Sequence, residues 1–308
     1  MKKVKSVVIF GGSGFVGSHL ALALRDQHKV YATFNRNQIK IPGVTYLPYD
    51  LIDRNWMKRA IYNIQPDIVI CALGSNDVDF YEQDDTYKKL CNEIHGKGPI
   101  EVYSIVDVFQ PKFIYLSNSY VFEGLHGNAK EDDTLLPITS LGKAKSNAEN
   151  YIKGHSMNYV ILRSSPLFGR SNGFKKSFFD YMRMTLAKGQ TFKIKNDEIH
   201  SFAAIQGLTE IVSKVIDGNI KNKVFHYNGL NKMTHYDFAI KFAKHFSYDS
   251  KCILPANPSP WQSDSNKSHS TKIDFSLNST KTLNELQIKP FLLEESFDLL
   301  KQQLIPSF

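Results

Sequence analysis

Short apolar runs recur along the first half of the chain. Ser6–Phe10, Val30–Phe34, Val44–Tyr49, Asp67–Ala72, Lys112–Ser117 and Tyr159–Arg163 each read as a β-strand. Between most of them lie stretches with apolar residues three and four apart, the spacing of a helix face. These are Val16–Arg25, with Val16, Leu20, Ala23 and Leu24 on one side, then Asn55–Tyr62, Thr86–Phe109 and Gly142–Lys153. Strands alternating with helices predict a parallel, doubly wound α/β sheet. The unbroken apolar run Ile68–Ala72 suits a strand covered on both faces.

Past residue 165 the rhythm changes. Helical patterns fall at Phe174–Leu186, Gly207–Ile216, Thr234–Phe246, Ser279–Leu286 and Leu293–Leu304. Thr234 and Asp237 are spaced as a capping box, in which each satisfies a free backbone N–H of the other. Phe238, Phe242 and Phe246 share a face and predict core. Pro255–Thr271 is polar and proline-bearing and reads as a loop.

Composition narrows the classes. The 308 residues are 42% hydrophobic and 22% charged, which fits a folded globular chain and excludes a disordered or fibrous one. No apolar run approaches the ~18 residues of a membrane span. Met1-Lys2-Lys3 before Val7–Phe10 is too short an apolar stretch for a signal peptide. Cys71, Cys91 and Cys252 are too few and too scattered for a disulfide framework or a zinc site, so a reducing, cytoplasmic setting is expected. No HExxH string or close His/Cys/carboxylate set occurs, so no metal is expected. The net charge of +8 could signal an anionic partner. Its lysines are scattered, with no basic stripe interleaved with aromatics, which argues against nucleic acid.

The most specific short signal is Ile9-Phe10-Gly11-Gly12-Ser13-Gly14-Phe15-Val16-Gly17. Gly11, Gly14 and Gly17 stand three apart between a strand and a helix. There, glycine permits a tight turn, close approach to a pyrophosphate, and helix packing on the strand. The helix N-terminus would face the phosphates. A tight turn alone is the plainer reading, but the strand before and the helix after make the cofactor loop the stronger one. The second strand ends Phe34-Asn35-Arg36, with no acid to bind the ribose 2′-hydroxyl of NAD. Arg36 suits the 2′-phosphate of NADP, so NADP(H) is expected ahead of NAD(H).

With this loop the sequence resembles the extended short-chain dehydrogenase/reductase family, and within it the dTDP-4-dehydrorhamnose reductase group and its relatives, including the regulatory β subunit of methionine adenosyltransferase. Asp50-Leu51 stands where the family places an Asp near the adenine. Val78-Asp79-Phe80-Tyr81-Glu82 resembles its VDxAE, and Asn92 and Pro99 its VN…P. Ser117-Asn118-Ser119-Tyr120-Val121-Phe122-Glu123-Gly124 resembles STDYVFDG. Leu162–Gly169 resembles LRTSWVYG, and Ser276–Lys281 its NSxLDxxK. The resemblance implies a Rossmann-type, NADP(H)-binding domain over residues 1–165. It also implies a smaller α/β substrate-binding domain over 166–308, with elements free to interleave, and a possible homodimer. It implies a dinucleotide site of Gly11, Ser13, Gly14, Phe15, Val16, Gly17, Arg36, Asp50, Leu51, Ala72, Leu73, Gly74, Lys145 and Pro166. Ser75, Asn76, Asn118, Ser119, Phe168 and His200 would face a nucleotide-sugar-like ligand.

The departures bear on chemistry. Family members work at a carbonyl with a Ser/Thr, a Tyr that donates the proton, and a Lys that lowers the tyrosine pKa and holds the nicotinamide ribose. The family's YGxxK aligns with Leu141-Gly142-Lys143-Ala144-Lys145, and its Ser/Thr with Asn118. No tyrosine lies between Tyr120 and Tyr151. Lys145 and Asn118 are the catalytic candidates that remain, with Tyr81, Tyr120 and His200 as substitute acids by rough position. Two readings stay open: an oxidoreductase with a rearranged proton donor, or a catalytically silent cofactor-binding regulatory subunit.

Overall fold

A computed structural model describes residues 3–50, 54–173, 175–256 and 272–303. Leu51, expected near the adenine, and most of the Pro255–Thr271 loop lie outside the described residues. In chain order the strands are β1 (Ser6–Phe10), β2 (Lys29–Phe34), β3 (Val44–Pro48), β4 (Ile68–Cys71), β5 (Lys112–Asn118), β6 (Tyr159–Ser164), β7 (Leu167–Phe168), β8 (Phe192–Ile194), β9 (Glu198–His200), β10 (Ala203–Ala204), β11 (Lys223–Tyr227), β12 (Met233–Thr234), β13 (Ile253–Pro255) and β14 (Ile273–Asp274). The α-helices are α1 (Phe15–Leu24), α2 (Arg54–Ile64), α3 (Val78–Tyr81), α4 (Asp85–Cys91), α5 (Gly98–Val106), α6 (Ser140–His155), α7 (Phe178–Ala187), α8 (Ile205–Asp217), α9 (His235–His245), α10 (Thr280–Leu286) and α11 (Leu293–Gln302).

Seven parallel strands form the central sheet in the order β11-β6-β5-β4-β1-β2-β3. The chain winds outward in both directions from β1. The strand order therefore reverses between β1 and β4, and open α/β sheets bind ligands beyond the strand ends at such a crevice. One face is packed by α1 and α8, through Leu20, Leu24, Leu208, Ile211 and Val215. The other carries Met57, Ile61, Val102, Val106, Ala148 and Ile152 from α2, α5 and α6. All four residues of β4 are buried, as an apolar run covered on both sides should be.

The seventh strand, β11, comes from beyond residue 165, and α8 covers the sheet beside it. The elements thus interleave across the expected boundary. A second core gathers Phe168, Phe179, Met182, Phe238, Phe242 and Phe297. Phe238 and Phe242 are fully buried in it, as their shared helix face predicted. The expected capping box at Thr234 and Asp237 is present.

The pattern read as one helix over Thr86–Phe109 is instead α4, a π-helical turn at Asn92–Lys97, α5, and a 3₁₀ turn at Asp107–Phe109. The π turn admits one extra residue per hydrogen-bonded ring. It delivers the buried His95 to the inner side of the helix.

Candidate functional site

The loop after β1 is set by backbone contacts. Gly11 has φ +80°, and a Cβ there would lie 2.4 Å from the Ala72 carbonyl oxygen. The Gly11 N–H donates to Thr33 Oγ1 at 3.0 Å, Ser13 N–H to the Thr33 carbonyl at 3.1 Å, and Gly14 N–H to the Gly11 carbonyl at 3.0 Å. Ser13 thus ties the loop to β2, and Gly14 closes the turn on Gly11, each with its own N–H group. The first turn of α1, beginning at Phe15, has no side-chain cap and no acidic residue. Its N–H groups and dipole are left for an anion. Gly17 brings the helix against the loop: a Cβ there would lie 2.2 Å from the Gly11 carbonyl oxygen.

Beside this turn opens a cavity of about 50 Å³. Its walls include Val16, Ala72, Leu73, Gly74, Asn76 and Lys145, six of the residues expected from sequence. Leu116, Ser117, Ser164 and Leu208 also line it and were not expected. Ser164 ends β6 and Ser117 is the last residue but one of the adjacent parallel strand β5, so their position at the crevice could have been read from the sheet order. Nothing in their residue type pointed to it.

Lys145 reaches the cavity because α6 is held tightly. Thr139 caps the helix, with its hydroxyl accepting the Gly142 N–H at 3.0 Å, and the Ser140 N–H donates to Glu82. Gly142 allows the close approach: a Cβ there would lie 2.0 Å from the Tyr120 carbonyl oxygen. One turn beyond Lys145, the fully buried Glu149 accepts a bidentate pair of hydrogen bonds from Arg163 of β6. Replacing Thr139 with alanine removes the cap, and about 1 kcal/mol of stability is expected to go with it. A thermal melt or urea titration measures this.

The Lys145 ammonium donates to the Leu116 carbonyl at 3.0 Å and sits 5.4 Å from the centre of the Tyr115 ring. Burial lowers its pKa to about 8, against the opposing pull of Cys71, Glu149 and Cys91. Asn118 is committed elsewhere. Its side-chain oxygen accepts the Tyr120 N–H at 3.1 Å, and its amide group donates to Asn76 Oδ1 at 3.3 Å. Leu141 is fully buried among Val78, Tyr81, Cys91, Tyr120, Ala144 and Phe275.

The three substitute acids are each engaged. Tyr81 hydroxyl and His95 Nε2 lie 3.1 Å apart, both groups buried. Tyr120 donates to Glu198 at 2.7 Å, and His200 Nε2 lies 3.1 Å from the same carboxylate. Burial pushes the Glu198 carboxyl up, but the His200 hydrogen bond and the Lys195 charge outweigh it and hold the group well below the usual range. Lys195 bridges Glu198 at 3.0 Å and Asp79 at 2.7 Å. His200 is thus fully buried in a network joining β9 to the segment after β5.

The other expected residues are spread out. Arg36 is exposed just past β2 and forms no ion pair among the described residues, and Asp50 is exposed after β3. Ser75 is exposed beside the cavity. Ser119 is buried, and no bond to its hydroxyl is found among the described residues. Pro166 accepts the Ala203 N–H at 3.0 Å. Phe168 lies in the second core, 5.1 Å from Phe238 between ring centres, and does not line the cavity.

A dinucleotide fits these residues on three observations. The glycine loop leaves backbone where side chains would collide, the N-terminus of α1 is uncapped, and Ser117, whose buried hydroxyl has no hydrogen-bond partner among the described residues, lines the cavity. Among the described residues no group of three or more His, Cys, Asp or Glu could hold a metal, and no helix is long and apolar enough to cross a membrane.

Comparison with known proteins places the geometry in a family. The profile of the RmlD substrate binding domain matches residues 5–293. The chain is 25% identical over 269 residues to methionine adenosyltransferase 2 subunit beta of Pongo abelii, covering 83% of this chain and 76% of that protein. Its fold is similar to the dTDP-4-dehydrorhamnose reductase of Bacillus anthracis solved with NADP, with TM-score 0.79, 18% identity, and 98% and 100% of the two chains covered. It is also similar to the Bordetella bronchiseptica enzyme WbmG solved with NAD, with TM-score 0.76, 16% identity, and 97% and 94% covered.

Proposed function

The chain belongs to the RmlD substrate binding domain family, and on that premise we propose that it binds NADP(H), in preference to NAD(H), together with a nucleotide-sugar-like ligand for carbonyl chemistry. The observation that carries this is the continuity of the site. The uncapped start of α1 and the cavity lined by Lys145 meet at the crevice between β1 and β4. The solved relatives with NADP and with NAD support a nicotinamide dinucleotide without choosing between the two. When bound, that group supplies or accepts a hydride. The chain's part is to anchor pyrophosphate at Phe15 and Val16 and to hold ribose hydroxyls with Lys145. Free Cys71 and Cys91 fit a reducing, cytoplasmic setting.

Titrating the protein with NADPH by fluorescence tests the proposal, and absence of binding at high micromolar cofactor would overturn it. Arg36 decides the preference. Arg36→Ala is expected to weaken NADPH binding about 10-fold, the worth of one exposed charge-assisted phosphate contact, and to leave NADH binding unchanged. Equal losses for both cofactors would assign Arg36 no role at the 2′-phosphate.

A second reading has its own support. Leu141 fills the proton donor's position with a fully buried hydrocarbon, and methionine adenosyltransferase 2 subunit beta is a relative matched over 83% of this chain. A silent binding subunit would retain NADPH and oxidise none of it with any dTDP-4-keto sugar.

A further inference from the structure

We propose that Ser117 and Lys145 together replace the family's missing catalytic groups, with the Ser117 hydroxyl orienting a substrate carbonyl and the Lys145 ammonium protonating its oxygen. The proposal rests on the dinucleotide reading above and concerns what stands beside it. Aligned by sequence, the hydroxyl position is Asn118, but the Asn118 side chain caps Tyr120 and bonds Asn76. The preceding residue on β5 takes the cavity instead. Ser117 is 2% exposed, its Oγ has no hydrogen-bond partner among the described residues, and it lines the same cavity as Lys145. An unpaired buried hydroxyl costs about 1–3 kcal/mol, a cost that a ligand carbonyl accepting its hydrogen bond would relieve.

Lys145 has the chemistry for the second role. Of its three N–H donors, one goes to the Leu116 carbonyl, the residue bonded to Ser117. The titratable groups around it are Cys71 on β4, Cys91 on α4, Glu149 on α6, His95 on the π turn and Tyr115 on β5. With burial outweighing them, the amine releases its proton near pH 8, close to the range where general acids work best. The step balances. The carbonyl carbon gains a hydride from the dihydronicotinamide, the C=O π bond breaks, and the oxygen takes a proton from Lys145. The ketone is reduced by two electrons, the dinucleotide is oxidised, and the neutral amine recovers its proton from water.

The test uses the full-length protein as wild type, Ser117→Ala, Asn118→Ala and Lys145→Arg. NADPH binding is followed by fluorescence, NADPH oxidation with dTDP-4-dehydrorhamnose by absorbance, and the lysine amines by ¹⁵N NMR titration. Lys145→Arg keeps the charge but cannot release a proton. It is expected to keep measurable NADPH binding, weakened with the altered ribose contact, to lose about 10²-fold in turnover at saturating NADPH, and to lack one lysine resonance that titrates near pH 8. Ser117→Ala is expected to lose about 10-fold in kcat, with Asn118→Ala within about 3-fold of wild type. Wild-type turnover should fall above pH 8. The proposal is overturned if Lys145→Arg retains turnover or Asn118→Ala costs more than Ser117→Ala. It is also overturned if wild type binds NADPH and oxidises none. Failure to bind NADPH would instead bring down the dinucleotide reading itself.

Discussion

Gly17→Ala is expected to abolish NADPH binding, by about 10³-fold or more, and to destabilise the fold by several kcal/mol. The added methyl has no space. Its carbon would lie 2.2 Å from the Gly11 carbonyl oxygen and 2.7 Å from the Gly12 Cα, and both neighbours are backbone. Neither can step aside. Gly11 is pinned by Thr33 and abuts the Ala72 carbonyl, and the loop continues into a hydrogen bond from Ser13 to the Thr33 carbonyl. The helix must therefore move off the strand, and overpacking of this kind costs ~1–3 kcal/mol or more. Binding suffers further, because the N–H groups of the first turn no longer converge on the crevice. A factor of 10³ corresponds to about 4 kcal/mol. Gly154→Ala is the control: nothing lies within 4 Å of a Cβ there, late in α6. Removing a helical glycine should raise stability by ~0.5–1 kcal/mol and leave NADPH binding untouched. Isothermal titration with NADPH, run beside urea unfolding of both variants, separates the two effects. Undiminished binding by Gly17→Ala would mean that the cofactor does not rest on this turn.

That contrast marks what the sequence could and could not disclose. The strand before Gly11, the helix after Gly17 and the glycine spacing are local, and local signals survive in a string of letters. So do the apolar run of β4 and the face shared by Phe238 and Phe242. β11 was invisible because Lys223–Tyr227 mixes a lysine and a histidine with three apolar residues, and its pairing partner β6 lies some sixty residues away. The break at Asn92–Lys97 was invisible because a π turn keeps helical composition while shifting phase. At the site, alignment identified Asn118 and Lys145 by rank in a motif. Which of two neighbouring strand residues faces the crevice depends on the pleat, and the cavity has Ser117 rather than Asn118 in its wall.

Acid is expected to unfold this protein from pH 6.5 downward, well before ordinary carboxylates titrate. His226 carries the argument. It is fully buried, and its protonation state is set by its neighbours. Its Nε2 lies 3.2 Å from Arg163 Nη1, which can only donate, so Nε2 must accept. Its Nδ1 lies 3.1 Å from the Ala129 carbonyl and must therefore carry the hydrogen. A second proton would face a guanidinium. Burial first, then the Arg163 charge, lower its pKa to about 3. In the unfolded chain the same imidazole titrates near 6.5. Between these values the unfolded state binds a proton that the folded state refuses, so stability falls as pH falls, and the loss levels off below about pH 3. The slope is about 1.4 kcal/mol per pH unit for this one group, or ~2–3 kcal/mol between pH 6.5 and 4.5. His235, lowered to about 3 by burial and then by His200, adds with the same sign. Glu198, held below the carboxylate range, adds its own loss once pH falls under ~4.5. Against a net stability of ~5–15 kcal/mol, the two histidines remove a large share by pH 4.5. Urea unfolding from pH 7.5 to 4.5 reads the slope, and His226→Gln, which can still accept from Arg163 and donate to Ala129, should flatten it by about 1.4 kcal/mol per pH unit. A wild-type stability that stays level from pH 7 to 5 would contradict the neutral, buried state of His226.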